Sequence, residues 1–220
     1  MALVAVGVSG GISAYKAVEV VRQLQKAGHQ VTVVMTRAAT RFVGPLTFEA
    51  ITQRHVITSQ WAPGANADIE HIALASEAAL LLVAPATANT IAKLAHGLAG
   101  DFLTSLALAT RAPVLVAPAM NTHMYDHPAT QANMATLRAR GVRFVEPGEG
   151  YLACGWVGKG RLAEPEVIAA EALRIIDPPK TLRGRRVVVT AGPTFEDLDP
   201  VRYLGTVSYT HLTLPTKRIV

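Results

Sequence analysis

The sequence predicts an α/β fold: a doubly wound parallel sheet, Rossmann-like or flavodoxin-like, with helices on both faces. One observation is a series of short, nearly unbroken apolar runs, which is the pattern of strands buried on both faces. A second is that segments with helical spacing separate these runs, so strands and helices alternate. The predicted strands are residues 2–8, 31–35, 80–84, 114–117 and 142–145.

The predicted helices carry their apolar residues on one side. Residues 12–26 and 129–140 are the clearest examples, and Gly28 and Gly141 follow their last turns. Glycine is favoured at that position because it adopts the left-handed conformation that ends many helices.

The fold class predicts where a ligand binds, because doubly wound sheets bind ligands beyond the carboxyl ends of their strands. We therefore expect the loops after Val8, Met35, Ala84 and Ala117 to converge on one site.

Composition narrows the functional classes. Half of the 220 residues are hydrophobic, but no run approaches the roughly 18 apolar residues of a membrane span. No basic region precedes the first apolar run, which argues against a cleavable signal, so we expect a soluble, cytoplasmic protein without a membrane partner. The net charge of +5 is scattered rather than clustered, which favours small anionic ligands over nucleic acid.

The thiol and imidazole content argues against a metal site. Cys154 is the only cysteine, so an internal disulfide and a thiolate-rich zinc site are excluded. No pair of the seven histidines has metal-ligand spacing together with a third ligand, and we expect no metal.

The chain is long enough for one domain and part of another. Residues 1–176 form the first predicted domain, and the prolines within residues 177–185 mark a linker. A new strand is predicted to begin at Arg186, and residues 186–205 have the pattern of the start of a second nucleotide-binding sheet.

The first loop has the composition of an anion site. Ser9, Gly10, Gly11 and Ile12 follow a strand and open a helix, where glycine lets the backbone approach a phosphate and unpaired amides bind it. The alternative is a tight turn without a ligand, since glycine is also favoured there on steric grounds.

The end of the second strand favours a mononucleotide. The first loop lacks the spacing of the dinucleotide fingerprint, and the second strand ends in Thr36 and Arg37 rather than in a ribose-binding acid. A hydroxyl and a cation suit a second phosphate contact, although Thr36 could equally be a helix N-cap.

The third and fourth loops carry further polar groups. Thr87, Asn89 and Thr90 can serve a helix start or the edge of a flavin ring. Asn121 can donate to a carboxylate, but its segment could equally be a simple turn.

Two remaining features have both a catalytic and an ordinary interpretation. His71 is an isolated histidine, which is usually a polar surface residue. Residues 148–161 combine five glycines with aromatic residues and Cys154, which suggests a flap that closes over a substrate. A flexible surface loop with an incidental cysteine is the alternative.

Five ordered motifs together resemble the flavin-containing cysteine decarboxylases, the family that includes the phosphopantothenoylcysteine decarboxylases. The motifs are GVSGGISAYK (7–16), IEHI (69–72), APATANTIAKLAHGLAGD (84–101), PAMNTHMY (118–125) and LACGWVGKGR (152–161). The segment VVVTAGPTFEDLDPVRYLG (187–205) is similar to the beginning of a phosphopantothenate–cysteine ligase domain. The two resemblances together indicate a bifunctional decarboxylase and ligase.

The resemblance implies FMN as the cofactor and 4′-phospho-N-pantothenoylcysteine as the substrate. Oxidation of the cysteine side chain to a thioaldehyde provides the electron sink that loss of CO2 requires, and the resulting ene-thiol is reduced to 4′-phosphopantetheine. The family also implies a homo-oligomer, a trimer or a dodecamer, with FMN near a subunit interface.

The resemblance also implies roles for individual residues. His71 is implied as base or orienting group, Asn121 as the carboxylate-binding residue and Cys154 as the proton donor. The implied flavin-binding residues are Ser9, Gly10, Gly11, Ile12, Thr36, Pro85, Thr87, Asn89, Ser105 and Met120, and the implied substrate-binding residues are Asn121, Met124, Ala153, Lys159 and Arg161.

The sequence departs from the family at two places. Gly100 stands where relatives often carry an acid, which puts one contact near the flavin or the interface in doubt. After Gly205 the ligase pattern is replaced by TVSYTHLTLPTKRIV (206–220), which we interpret as a non-native tail, and we expect no ligase activity.

Other functions have less support from the motifs. A peptidyl-cysteine decarboxylase or a flavin prenyltransferase would share the fold, but the flap cysteine and the ligase-like segment argue against both. A non-catalytic flavin-binding regulatory subunit is disfavoured by the presence of His71, Asn121 and Cys154. A nucleotide-binding domain of another purpose would require the five motifs to coincide by chance.

Overall fold

A computed structural model of the chain describes residues 1–61, 70–151 and 155–178, together with the backbone of residues 195–197 and 203–205. The chain divides into two units, Met1–Pro179 and Lys180–Val220.

The first unit is built on a five-stranded parallel sheet. Its strands are β1 (Leu3–Val8), β2 (Gln30–Met35), β3 (Leu80–Ala86), β4 (Val114–Pro118) and β5 (Arg143–Phe144). They lie in the order β2-β1-β3-β4-β5. This is the flavodoxin-like order, in which the direction of winding reverses between β1 and β3. The predicted fold class is confirmed.

Eight helices accompany the described strands, and together they cover both faces of the sheet. They are α1 (Lys16–Lys26), α2 (Pro45–Thr52), α3 (Glu70–Glu77), α4 (Ala88–His96), α5 (Phe102–Ala109), α6 (Thr122–Asp126), α7 (Pro128–Ala139) and α8 (Pro165–Ile176).

Each face of the sheet has its own core because successive side chains of a strand point to opposite sides. Val4 and Val6 of β1 pack into a core with helices α1, α2 and α8. Ala5, on the other face of the same strand, belongs to a core that includes residues of α3, α4, α5 and α7. The three inner strands, β1, β3 and β4, are therefore apolar along almost their whole length, as the sequence predicted.

The observed elements differ from the predicted ones mainly at their ends. The predicted helix 12–26 begins with a 3-10 turn, Ile12–Tyr15, before α1. Gly28 and Gly141, with φ of +87° at both, follow α1 and α7 as expected. Strand β5 is shorter than predicted because it is an edge strand that pairs only through Leu115–Arg143 and Val116–Phe144.

An antiparallel hairpin, β6 (Gly148–Tyr151) and β7 (Val157–Arg161), precedes α8. In the second unit, β8 (Phe195–Asp197) pairs antiparallel with β9 (Tyr203–Gly205). The strand predicted to begin at Arg186 lies outside the described residues. Over the part of the chain that is described, none of the helices has the length and apolar character needed to span a membrane.

Candidate functional site

The loops after β1, β3 and β4 enclose a cleft of about 620 Å³ at the carboxyl edge of the sheet. Its position between β1 and β3 is the switch point at which doubly wound sheets bind ligands. It is lined by Gly10, Gly11, Ile12, Ser13, Tyr15, Lys16, Thr87, Ala119, Met120, Asn121, Met124, Tyr151, Gly160 and Arg161.

A set of hydrogen bonds joins the loops after β1 and β3. The Ser9 hydroxyl donates to the Pro85 carbonyl oxygen at 2.7 Å and accepts from the Thr87 backbone amide at 3.0 Å. Thr87 in turn caps α4, since its Oγ1 accepts from the Thr90 amide at 3.4 Å. Ser9 is 1% exposed, so its hydroxyl serves this junction. We call Ser9, Gly10, Pro85 and Thr87 the cleft floor.

The two glycines of the first loop differ in what surrounds them. A Cβ added at Gly10 would lie 2.4 Å from the Ala38 Cβ and 2.7 Å from its carbonyl carbon. A Cβ added at Gly11 would meet only the Thr87 Cγ2, at 3.7 Å. Packing within the chain therefore explains a glycine at 10 but not at 11, where the open space suits a ligand that approaches the backbone.

A second cleft, of about 480 Å³, lies on the other side of Gly10, Thr87 and Met124, which line both clefts. Thr36 and Asn89 are among its lining residues, as are Lys93, Gly100 and Asp101. The Thr36 Oγ1 accepts from the Ala39 amide at 3.3 Å and so stabilises the turn after β2, although the N-cap position of the 3-10 helix there belongs to Ala38. Asn89 is exposed in the first turn of α4.

Asp101, at the rim of this second cleft, begins α5. Its Oδ1 accepts from the Thr104 amide at 3.0 Å, and the Thr104 Oγ1 accepts from the Asp101 amide at 3.1 Å, which is a capping box. The Lys93 Nζ donates to Oδ2 at 2.9 Å. Burial raises the pKa of Asp101, but the hydrogen bonds from Lys93 and Thr104 outweigh it and hold the pKa below the ordinary value. Asp101 is therefore a carboxylate at neutral pH.

Asn121 lies at the carboxyl end of β4 and begins α6. Its Oδ1 accepts from the His123 amide at 2.9 Å, which fixes the plane of the side-chain amide at the edge of the cleft. Asn121 therefore begins a helix and not the simple turn that was the alternative, and the residue also lines the cleft.

The β6–β7 hairpin forms one side of the cleft through Tyr151, Gly160 and Arg161, which we call the hairpin wall. The Met120 amide donates to the Gly160 carbonyl oxygen at 2.9 Å. Gly160 has φ of +130°, and a Cβ there would lie 2.5 Å from the Met120 carbonyl oxygen. Only glycine fits this close approach of two backbones.

Two cations of the cleft share one carboxylate. The Lys16 Nζ donates to the Glu164 Oε2 at 2.9 Å, and the Arg161 Nη2 donates to Oε1 at 2.7 Å. The hydrogen bond from Lys16, helped by the charges of Lys16 and Arg161, holds the pKa of Glu164 below its ordinary value. Together, Lys16, Arg161 and the ionised Glu164 carry one net positive charge at the cleft.

The structure does not place His71 among the residues that line the two clefts. His71 lies in α3, and its ring packs edge-on against Phe102 with 6.1 Å between the ring centroids. Its Nδ1 is buried and has no hydrogen-bond partner among the described residues.

The other predicted site residues divide into three groups. Ile12, Met120 and Met124 line the main cleft with Asn121 and Arg161. Ser105 and Lys159 lie elsewhere: Ser105 bonds to the Gln60 side chain at 3.4 Å, and Lys159 lies 3.6 Å from Glu146. Ala153 and Cys154 lie outside the described residues.

Sequence reasoning missed Lys16 and Glu164 as parts of the site. Lys16 closes the first-loop motif, so its place in the first turn after a glycine loop was a usable signal. Glu164 lies three residues after the predicted substrate-binding residue Arg161, but no pattern in the sequence pointed to its pairing with Lys16. For a metal, the described parts of the chain bring no three His, Cys, Asp or Glu side chains together.

Comparison with known proteins agrees with this geometry. The family model described as Flavoprotein matches residues 2–176, and the model of the DNA/pantothenate metabolism flavoprotein C-terminal domain matches residues 182–210. The coenzyme A biosynthesis bifunctional protein CoaBC of Bacillus subtilis (strain 168) is 52% identical over 198 residues, which are 89% of this chain and 49% of that protein. The chain thus spans about half the length of the curated relatives that it matches.

Two solved structures are similar over most of the first unit. A PPC decarboxylase mutant complexed with pantothenoylaminoethenethiol has a TM-score of 0.71 and 29% identity, over 78% of this chain and 96% of that one. The FMN-dependent cysteine decarboxylase SpaF has a TM-score of 0.66 and 34% identity, over 78% of this chain and 98% of that one. Since the family match runs from residue 2 to residue 176 and the sheet has the corresponding order, the chain belongs to the Flavoprotein family, whose cofactor is a flavin.

Proposed function

We propose that residues 1–176 catalyse the FMN-dependent decarboxylation of 4′-phospho-N-pantothenoylcysteine to 4′-phosphopantetheine in coenzyme A biosynthesis. The observation that carries the proposal is one cleft at the β1–β3 switch point that is lined by Asn121, Lys16 and Arg161. An amide and two cations suit a substrate with a carboxylate and a phosphate. The similarity to CoaBC and to a PPC decarboxylase supports this substrate.

The residues present fit a flavin mononucleotide. The two clefts, of about 620 and 480 Å³, meet at Gly10, Thr87 and Met124, and both are of the size that proteins use for small ligands. Gly11 begins the 3-10 turn without a side-chain cap, so the first N–H groups of that turn are available to an anion such as the phosphate. Thr36 and Asn89 would add polar contacts from the second cleft. When bound, FMN supplies the reversible two-electron chemistry that the side chains of the protein lack.

The residues of the chain have separate tasks in this proposal. Asn121 binds the substrate carboxylate at the edge of the cleft, where the bond from the His123 amide to its Oδ1 orients the side chain. Cys154 donates the final proton, and His71 acts as base or orienting group. The described residues do not join His71 to Asn121, so we further propose that the chain assembles as a homo-oligomer, a trimer or a dodecamer.

Exposed apolar side chains support assembly. Ile12 and Tyr15 after β1, and Phe42 and Leu46 after β2, are between 50% and 74% exposed. Large exposed apolar residues near a site are typical of interfaces. Light scattering of the purified protein would contradict this part if it gave the mass of a monomer.

The test is anaerobic incubation of the purified protein with 4′-phospho-N-pantothenoylcysteine, followed by mass spectrometry. A flavin spectrum that matches FMN and a product lighter by one CO2 are expected. Bound FMN without turnover would favour a non-catalytic flavin-binding subunit instead.

Asn121→Asp is the sharpest single substitution, because aspartate keeps the oxygen that begins α6 but replaces the amide nitrogen by a second oxygen. We expect a loss of turnover by a factor of at least about 100, since a carboxylate now faces the substrate carboxylate, with FMN and thermal stability retained. Steady-state kinetics and the flavin absorbance measure the two effects. Turnover near the unmodified level would remove Asn121 from carboxylate binding.

A further inference from the structure

Glu164 stands at the start of a helix, but its side chain does not bond to the backbone there. It is the N-cap residue of α8, yet its side chain makes no capping hydrogen bond. Both of its carboxylate oxygens accept instead from cations of the cleft, Oε2 from Lys16 and Oε1 from Arg161. The Glu164 carboxylate therefore serves the two cations of the cleft and not the start of α8.

The two cations come from opposite sides of the cleft. Lys16 stands in the first turn of α1, whereas Arg161 ends β7 in the hairpin wall. The Lys16 side chain is only 14% exposed, and among the described residues Glu164 is its sole ion-pair partner. A largely buried ammonium group needs a nearby opposite charge. Glu164 thus stabilises Lys16 at the cleft and ties the hairpin wall to α1.

We propose that Glu164 is a positioning residue that holds Lys16 and Arg161 together as a clamp for the phosphate group of the substrate. The inference rests on the proposed function, because it identifies which end of that substrate these cations bind. Glu164 uses one donor of each side chain, while an ammonium has three donors and a guanidinium five, so several remain for the ligand.

Charge favours the phosphate over the carboxylate as the group in the clamp. A phosphate monoester carries about −1.5 to −2 near neutral pH, whereas a carboxylate carries −1. The clamp keeps one net positive charge even with Glu164 ionised, and its donors come from two directions. The neutral amide of Asn121 offers the carboxylate a separate contact in the same cleft.

Glu166 provides a matched control. Its Oε1 accepts from the Gln23 Nε2 at 3.1 Å, so it also links the start of α8 to α1 at an exposed position. Neither Glu166 nor Gln23 lines the cleft. Glu166→Gln therefore removes an exposed carboxylate from the start of α8, as Glu164→Gln does, without changing the clamp.

The experiment compares the unmodified protein, Glu164→Gln and Glu166→Gln in two assays. The first gives KM and kcat for 4′-phospho-N-pantothenoylcysteine. The second gives the Kd of 4′-phosphopantetheine and of pantetheine, which differ only in the phosphate. For Glu164→Gln we expect KM and the Kd of 4′-phosphopantetheine to rise about fivefold, with kcat and the Kd of pantetheine unchanged. Glu166→Gln should match the unmodified protein.

The outcomes separate this inference from the proposed function. If the protein decarboxylates the substrate but Glu164→Gln has the same KM and Kd values as Glu166→Gln, the clamp is overturned and the proposed function stands. The same holds if Glu164→Gln binds 4′-phosphopantetheine more tightly than the unmodified protein does. If the protein prefers 4′-phosphopantetheine to pantetheine in a way that depends on Glu164, but decarboxylates nothing, the proposed function is overturned and the clamp stands. Equal binding of 4′-phosphopantetheine and pantetheine by the unmodified protein would also overturn the clamp.

Discussion

The cleft floor and the hairpin wall both contribute residues to the lining of the same cleft, Gly10 and Thr87 from the floor and Tyr151, Gly160 and Arg161 from the wall, but they are held in place by different interactions. The floor is fixed by short hydrogen bonds among groups of its own, such as the 2.7 Å bond from Ser9 to Pro85. In the wall, Arg161 is held by an ion pair with Glu164, and both side chains are about half exposed. Buried hydrogen bonds are costly to break, whereas exposed ion pairs contribute about 0–1 kcal/mol to stability.

Because of this difference, the floor contributes mainly to the stability of the fold and the wall mainly to the binding of a ligand. Groups of the floor are already satisfied by the fold, so changing them destabilises the protein. Charges of the wall contribute little to folding and retain donors for a ligand. Similar substitutions in the two regions should therefore change different observables, thermal stability in the floor and ligand binding in the wall.

The largest effect on stability is expected for Gly10→Ala in the floor. The new Cβ would lie 2.7 Å from the backbone of Ala38, which moves only with the loop after β2. Overpacking of this kind costs about 1–3 kcal/mol, which a shift of the thermal midpoint would report. Gly11→Ala is the matched control, because its nearest neighbour is at 3.7 Å. It should melt like the unmodified protein but bind FMN more weakly.

Equal melting temperatures for Gly10→Ala and Gly11→Ala would contradict this prediction. They would show that the packing around Gly10 accommodates a methyl group at no more cost than the open space at Gly11. Loss of FMN from Gly10→Ala alone would instead place the phosphate at Gly10 rather than at Gly11.

A smaller effect, dependent on pH, is expected for Asp101→Asn at the rim of the second cleft. Asparagine keeps the oxygen that accepts from the Thr104 amide but loses the charge that pairs with Lys93. At pH 7 the free energy of unfolding should fall by about 0.5–1 kcal/mol. Because the folded pKa of Asp101 lies below the unfolded value, this stabilisation is present above the ordinary value of 3.8 and is lost as pH falls through the folded pKa.

Urea unfolding at pH 7 and near pH 3 measures that dependence. Lys93→Gln is the control, since it removes the other partner of the ion pair. The double variant should lose no more free energy of unfolding than either single variant does. A difference between Asp101→Asn and the unmodified protein that grows on acidification would contradict the depressed pKa.

The sequence was sufficient for the fold because each strand is apolar on both faces. The run from Val4 to Val8 and the run from Leu80 to Ala84 are both fully buried, and such runs alternating with helices are typical of a parallel sheet covered on both sides. The ends of elements were less certain. The pattern of residues 12–26 does not distinguish the 3-10 turn Ile12–Tyr15 from the α-helix that follows.

For the site, the sequence located the loops but not the partners within them. The resemblance predicts that Ser9 contacts the flavin, and the structure adds that its hydroxyl joins the two loops of the floor. That bond spans 78 residues, so no local pattern reports it. The contact of Lys16 with Glu164 spans 148 residues and is equally invisible before folding. Roles that depend on a distant partner need the structure, while roles that depend on backbone conformation can be read from glycine and proline.

The smallest effect is expected at Lys159, on the hairpin but outside the hairpin wall. Its Nζ lies 3.6 Å from the Glu146 carboxylate, and both side chains are about half exposed. Glu146 also accepts from Arg138 at 2.9 Å and from the Tyr125 hydroxyl at 3.2 Å, so it keeps two partners in Lys159→Gln. We expect less than about 0.5 kcal/mol of destabilisation and a KM within about twofold of the unmodified protein. Because the family resemblance implies that Lys159 binds substrate, a larger rise in KM at constant thermal stability would extend the wall to Lys159 and place its charge in the path of the ligand.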